Sequence, residues 1–127
     1  MTTIYADNAA TTQMSRAAID AMLPYLETIY GNPSSLHSVG QQAAGALLSA
    51  RDRIAKCLNA SPREIYFTSG GSESNTWAIR GTVPQGGHVV TTPIEHHSVL
   101  NACASIRDDG GRMTTLEVDG FGRVVPE

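Results

Sequence analysis

Apolar residues in the first half of the chain recur at helical spacing. Residues 15–30 follow this pattern, and Pro24 inside the run predicts a kink or a break into two short helices. A longer apolar stripe predicts a helix over 38–58, and residues 61–64 have the composition of a capped single turn. The segment GNPSS at 31–35 has the glycine, asparagine and proline of an irregular loop, so it separates the two helices.

Beyond residue 64 the pattern changes to short β-type runs that alternate with helical segments. We predict strands at 65–68, 88–92 and 113–118, with helices at 73–79 and 98–107. Alternation of this kind predicts an α/β fold in which helices cover a sheet. Three strands are few for such a sheet, so we expect an open edge and an uncovered apolar face.

The composition excludes several classes of protein. Of the 127 residues, 41% are hydrophobic and 17% are charged, which is typical of a folded soluble chain. The net charge of −3 gives no electrostatic reason to expect nucleic acid or an anionic membrane as partner. No apolar run approaches the roughly 20 residues of a membrane span, and the N-terminus does not resemble a signal peptide. We therefore expect a cytoplasmic protein.

The two cysteines give no indication of a metal site. Cys57 and Cys103 stand in no CxxC or Cys/His ligand spacing. Both fall within apolar helical patterns, and free cysteine is among the most buried residue types. We expect both to be buried structural thiols.

The most informative segment for chemistry is IYFTSGGSESN at 65–75. A predicted strand leads into Gly70, Gly71 and Ser72, and a helix starts at once. Unpaired N–H groups at a helix N-terminus bind anions, glycines allow close approach, and the serine adds a hydroxyl donor. The pattern predicts a phosphate site that is neither a Walker loop nor a dinucleotide fingerprint. The alternative is a plain strand-to-helix turn in which Ser72 caps the helix.

A second candidate segment is TTPIEHHSVL at 91–100. His96 and His97 follow a strand end, where ligands gather in open α/β sheets. A histidine there could stack on a flat ring or move a proton. For His97 we favour a helix-start residue that faces water.

Two further polar segments offer weaker candidates. The loop NPSSLHSVG at 32–40 contains Asn32 and His37 between two helices, and the pattern alone favours a solvated connector over a lid or substrate loop. The segment YADNAATT at 5–12 offers turn chemistry, and no physical argument requires a ligand there.

Together these segments closely resemble the N-terminal portion of the NifS/IscS-type cysteine desulfurases, in the class V aminotransferase group. The motifs YADNAATT, GNPSSLHSVG, FTSGGSESN and EHHSVL occur in that order, and the resemblance extends from residue 5 to residue 127. It implies an incomplete large domain of the pyridoxal-phosphate fold-type I class, a three-layer α/β/α sheet. Residues 1–12 would be an N-terminal segment near the substrate pocket, and 13–127 a partial cofactor-binding domain.

The resemblance also implies residue roles and partners. Gly71 and Ser72 match the turn that holds the phosphate of pyridoxal 5'-phosphate, and His96 matches the histidine that stacks on its ring and transfers protons. Ala10, Thr11, Asn32 and His37 would lie near the substrate. The substrate implied is L-cysteine, with a homodimeric full-length enzyme and a sulfur-acceptor or scaffold protein as partners. No metal is implied.

The resemblance also identifies what this chain should lack. In the family, the cofactor-linking lysine and the sulfur-carrying cysteine lie far downstream of the matched region. The single lysine, Lys56, lies on the polar side of a predicted helix, and Cys57 and Cys103 do not match the sulfur carrier. We therefore expect an inactive fragment. The alternatives are a selenocysteine lyase or another class V enzyme, a non-catalytic decoy subunit, or a nonfunctional remnant.

Overall fold

The computed structural model describes residues 3–125, which form two compact units, one on each side of the Tyr66–Phe67 boundary. In chain order the elements are α1 (Arg16–Glu27), α2 (Ser38–Leu58), a 3₁₀ helix (Pro62–Glu64), α3 (Gly71–Thr82), β1 (His88–Thr91), α4 (His97–Asp108) and β2 (Arg112–Thr115). The helical and β-type segments therefore alternate in the second unit as the sequence predicts.

Helix α1 runs through its proline without a break. The Ser15 side chain caps its start by accepting from the Ala18 N–H at 3.2 Å. Pro24 lies inside the helix, and its carbonyl accepts from the N–H of Thr28 at 3.0 Å. The predicted division into two short helices is wrong, because proline removes one donor while its carbonyl still closes the next turn. The helix also ends before the predicted residue 30.

Helix α2 matches its predicted span, and a close contact holds the preceding loop against its first turn. The ring of His37 caps the helix, with Nδ1 accepting from the N–H of Gly40 at 3.3 Å. Gly40 is buried, and a Cβ placed there would lie 2.5 Å from the carbonyl oxygen of Ser35. The helix ends at Leu58, and the following residue, Asn59, caps it in the left-handed conformation at φ 52°.

The predicted capped turn after α2 is confirmed as a 3₁₀ helix with a complete capping box. The Ser61 hydroxyl accepts from the N–H of Arg63, and the Glu64 carboxylate accepts from the N–H of Ser61 at 2.7 Å. Arg51 of α2 donates through Nε to the carbonyl of Ile65 at 3.1 Å. The end of the first unit is thereby tied back to its longest helix.

The second unit is built on a parallel β1–α4–β2 arrangement. The two strands pair in register from His88 opposite Arg112 to Thr91 opposite Thr115. Helix α4 supplies the buried core residues of this unit, which are Ala102, Cys103 and Ile106. Helix α3 packs on α4, and both strands also contact α4, so α4 is the helix that every other element of this unit contacts.

Arg80 of α3 forms a polar connection between the two packed helices. Its Nη1 donates to the Ser105 hydroxyl and its Nη2 to the Asp109 carboxylate, both at 2.7 Å. The ion pair is about half exposed, so it contributes little to the free energy of unfolding and mainly fixes how α3 and α4 are oriented to each other.

Several predictions for strands and cysteines are wrong in detail. Residues 65–68 lie outside the sheet, which within 3–125 consists of β1 and β2 alone. The predicted strand 113–118 ends at Thr115, and Val118 forms an isolated antiparallel bridge with Val124. Cys103 is buried as expected, but Cys57 is exposed. Cys57 lies two residues beyond the buried Ala55, roughly on the opposite side of α2.

Large apolar side chains are exposed in both units. Leu36 is 94% exposed and Trp77 is 56% exposed. Among residues 3–125, no helix has both the length and the apolar character of a membrane span.

Candidate functional site

The turn that leads into α3 is braced by side-chain hydrogen bonds on both sides. The Glu73 carboxylate accepts from the N–H of Ser69 at 2.6 Å and from its hydroxyl at 2.8 Å. The hydroxyls of Thr68 and Ser74 lie 2.7 Å apart, and the Ser74 N–H donates to the carbonyl of Gly70 at 3.1 Å. These contacts fix the backbone on either side of the two glycines.

The same contacts set the charge state of Glu73. The backbone N–H of Ser69, and then its hydroxyl, hold the pKa of the Glu73 carboxyl below its ordinary value of 4.5, because both donors stabilise the ionised form. Glu73 is therefore an anion at neutral pH, and its charge is engaged with Ser69.

The start of α3 leaves several donors free. The helix begins at Gly71, and Gly70 caps it without a side-chain hydrogen bond. Ser72 is thus a first-turn residue, and the alternative in which its hydroxyl caps the helix is wrong. Within the described residues, the N–H groups of Gly71, Ser72 and Glu73 and the Ser72 hydroxyl make no hydrogen bond. These are the orphan donors that make helix N-termini anion sites.

Open space lies above these donors. A Cβ added at Gly71 would meet no atom within 4 Å. Gly71 and Ser72 line an open depression of about 370 Å³ together with Asn75, His96 and Ser98. The second unit therefore brings together the three residues that the sequence analysis assigned to cofactor binding, namely Gly71, Ser72 and His96.

His96 stands at the start of α4 and is held through one ring nitrogen. Its Nδ1 accepts from the N–H of Ser98 at 3.1 Å and lies 2.8 Å from the Ser98 hydroxyl. Asn75 of α3 donates through Nδ2 to that hydroxyl at 2.9 Å. His97 is the first helical residue and is exposed, as predicted. The ring of His96 is exposed at the edge of the depression.

Sequence reasoning missed Asn75 and Ser98. His96 is the N-cap of α4 and Ser98 is the second residue of that helix. Cap side chains commonly accept from the backbone N–H at this spacing, so the sequence did contain a local indication of this contact. Asn75 lies 23 residues before Ser98, and no periodicity links the two positions.

The remaining candidates belong to the first unit, where each has local contacts. Asn32 Oδ1 accepts from the N–H of Ser34 at 2.9 Å, and His37 caps α2. The N–H groups of Ala10 and Thr11 donate to the carbonyl of Asp7 at 3.2 and 3.4 Å. All four candidates are exposed, and their contacts are those of ordinary turns and caps. In residues 3–125 no cluster of His, Cys, Asp and Glu side chains has the geometry to hold a metal ion.

Comparison with known proteins gives consistent results. Residues 4–127 match the family described as aminotransferase class-V. A cysteine desulfurase IscS of Methanosarcina thermophila is 44% identical over 98% of this chain and 32% of its own length. A NifS/IcsS protein homolog of Lactobacillus delbrueckii subsp. bulgaricus is 45% identical over 98% of this chain and 33% of its own length. The chain spans about a third of the length of these curated relatives.

Solved structures resemble the fold closely. A NifS-like protein superimposes with a TM-score of 0.83 at 34% identity, over 94% of this chain and 34% of its own. A structure described as SspA in complex with cysteine gives a TM-score of 0.81 at 38% identity, over 89% of this chain and 34% of its own. These likenesses confirm the predicted α/β fold of the pyridoxal-phosphate fold-type I class. By sequence and by fold, the chain belongs to the aminotransferase class-V family.

Proposed function

We propose that this chain is the N-terminal part of a pyridoxal-phosphate-dependent cysteine desulfurase. The full-length enzyme would convert L-cysteine to L-alanine and leave the sulfur on an enzyme cysteine, for iron–sulfur cluster or thio-cofactor assembly. The observation that carries the proposal is the group of free donors at the start of α3, with His96 at the same depression.

The donor set fits the phosphate of pyridoxal 5'-phosphate. Three backbone N–H groups, from Gly71 to Glu73, and the Ser72 hydroxyl need acceptors, and a phosphate supplies several oxygens. The helix dipole adds partial positive charge at the same point. Bracing of the turn by Ser69 and Glu73 means that these donors keep their geometry before the ligand arrives.

The position of His96 fits the two roles that the family resemblance assigns to it. Its ring is exposed at the depression and can lie against a flat aromatic ligand. Its Nε2 makes no hydrogen bond within the described residues, so this nitrogen can exchange a proton with substrate. When bound, pyridoxal phosphate supplies an electron sink for cleavage next to the amino group.

The proposal assigns the rest of the chemistry to residues outside this chain. Lys56 is exposed and forms an ion pair with Asp52 at 3.1 Å across one turn of α2, which does not fit a cofactor-linking lysine. Cys103 is buried within α4, and Cys57 lies on an exposed helix face, so neither fits a sulfur carrier on a mobile loop. The 127 residues alone would not turn over cysteine.

Other parts of the proposal rest on the family alone. Residues 1–12 would form a segment near the substrate pocket, and 13–127 part of the cofactor domain. Ala10, Thr11, Asn32 and His37 would face L-cysteine. The complete enzyme would be a cytoplasmic homodimer that hands sulfur to an acceptor or scaffold protein. The relatives named cysteine desulfurase and NifS/IcsS homolog, together with the cysteine-bound SspA structure, support the desulfurase assignment over other class V activities.

The test is equilibrium dialysis of the complete gene product, which compares its binding of pyridoxal 5'-phosphate with its binding of pyridoxal. Wild type should bind the phosphorylated form more tightly, and Ser72→Ala should weaken that binding about tenfold or more, since hydrogen bonds to charged groups are strong. Pyridoxal binding should not change. Ser49→Ala, which alters an exposed α2 hydroxyl bonded to Arg53, is the matched control. Equal binding of both ligands would refute the phosphate site.

A second measurement tests the assignment of the lysine. Borohydride reduction with the cofactor, followed by intact mass analysis, should leave the 127-residue chain unmodified. A stable adduct on Lys56 would contradict the proposal, because this lysine would then be the cofactor link.

A further inference from the structure

The hydrogen bonds around His96 determine which of its nitrogens carries the proton. The backbone N–H of Ser98 points at Nδ1 at 3.1 Å. A backbone N–H can only donate, so Nδ1 must accept. In the neutral ring the single proton therefore resides on Nε2.

A second contact acts in the same direction. Asn75 Nδ2 donates to the Ser98 hydroxyl at 2.9 Å, which occupies a lone pair of that oxygen. The hydroxyl hydrogen is then free to point at His96 Nδ1, 2.8 Å away. The two hydrogen bonds then run in one direction: Asn75 on α3 donates to the Ser98 hydroxyl on α4, and that hydroxyl donates to the His96 ring. We call this the donor chain.

The surroundings favour an ordered chain over a chance surface contact. Asn75 and Ser98 are both half-buried, and α3 and α4 are packed together along their lengths. The ring of His96, in contrast, is exposed. The chain thus connects an exposed ring to a rigid pair of helices.

We propose that Asn75 and Ser98 are positioning residues that hold His96 in the Nε2–H tautomer, with Nε2 as the proton-bearing atom at the depression. The identity of the group with which Nε2 would exchange a proton depends on the function proposed above. The tautomer itself is a property of this chain's own residues.

The test is nitrogen NMR on protein labelled with ¹⁵N-histidine, as its gene produces it, above the pH at which histidine is protonated. The His96 resonances are assigned by their loss in His96→Gln. Wild type should show the Nε2–H form as the dominant tautomer. Ser98→Ala should shift the tautomer ratio toward Nδ1–H by about threefold to tenfold, the value of one hydrogen bond. Asn75→Leu should shift it in the same direction by a smaller factor, because the Ser98 hydroxyl is retained and only its orientation is released.

Two further variants separate positioning from general packing. Ser98→Thr keeps the hydroxyl and should restore the wild-type ratio. Ser105→Ala makes the same change as Ser98→Ala farther along α4, removes a bond from Arg80, and should leave the His96 tautomer unchanged. A dominant Nδ1–H form in wild type, or a ratio that does not respond to Ser98→Ala and Asn75→Leu, would overturn the inference.

The outcomes for the two proposals are distinguishable. If the phosphorylated cofactor does not bind selectively while His96 shows the Nε2–H form and responds to Ser98→Ala, the proposed function fails and the inference stands. If the cofactor binds selectively while the tautomer does not respond, the positioning chain fails and the phosphate site stands.

Discussion

Replacing Gly40 by alanine should destabilise the first unit, although alanine is the better helix former. A Cβ at this position would lie 2.5 Å from the carbonyl oxygen of Ser35 and 2.7 Å from that of Asn32. These distances are shorter than ordinary contact at 3.4 Å by up to about 0.9 Å, and backbone atoms cannot turn aside as a flexible side chain can. Overpacking of this kind costs about 1–3 kcal/mol, against a gain of at most about 1 kcal/mol in helix propensity.

Gly45, in the same helix, is the matched control. A Cβ there would meet no atom within 4 Å, so Gly45→Ala should gain about 0.5–1 kcal/mol from helix propensity alone. We expect the free energies of unfolding of the two variants to differ by about 1–3 kcal/mol in urea titrations followed by far-UV circular dichroism. Equal stability of Gly40→Ala and Gly45→Ala would show that the loop yields freely and would refute the argument.

A local measurement identifies where the strain falls. The Ser35 N–H donates to the Asn32 carbonyl at 3.0 Å, and both residues would be pushed by the new methyl group. Amide exchange at Ser35 should therefore be faster in Gly40→Ala and unchanged in Gly45→Ala. The proposed substrate loop would be loosened with no change to its own side chains.

The remaining predictions concern the second unit. Ile106→Val should cost about 0.5–1.5 kcal/mol in urea unfolding because Ile106 is 8% exposed, whereas Leu36→Val at a 94% exposed site should be neutral. Arg80→Met should cost less than about 1 kcal/mol, and the loss should shrink in high salt because the pair with Asp109 is half exposed. Glu73→Gln should be less stable than wild type at pH 7. Since the pKa of Glu73 is lowered on folding, that deficit should be complete above its ordinary value of 4.5 and disappear as the pH falls through the folded-state value.

Features that depend on neighbouring residues in the sequence were predictable. The span of α2, the capping box after it and the turn before α3 follow from spacing and cap chemistry, and the structure has all three. The meeting of Ser72 and His96 was expected from the rule that helices after strands start at one edge of a parallel sheet. The two residues do meet, but only α4 follows a strand of the described sheet, so the rule accounts for the position of His96 alone.

Features that depend on distant partners were not predictable. Residues 65–68 have strand composition, but a strand requires a partner, and the described sheet contains only β1 and β2. The apolar pattern around Cys57 does not reveal which side of α2 is covered, and the thiol is exposed. Asn75 and Ser98 meet only because α3 packs on α4, which no single segment of sequence encodes.

The packing of α3 on α4 also has a consequence for the order of folding. The bond from Asn75 to Ser98 closes a loop of 23 residues, and the bond from Arg80 to Asp109 closes one of 29. Loop-closure entropy rises by only about 0.6 kcal/mol for each doubling of length, so contacts this near in sequence form early. We expect the site to assemble during synthesis as soon as α4 leaves the ribosome, before the segments that follow α4 have emerged to pack against it.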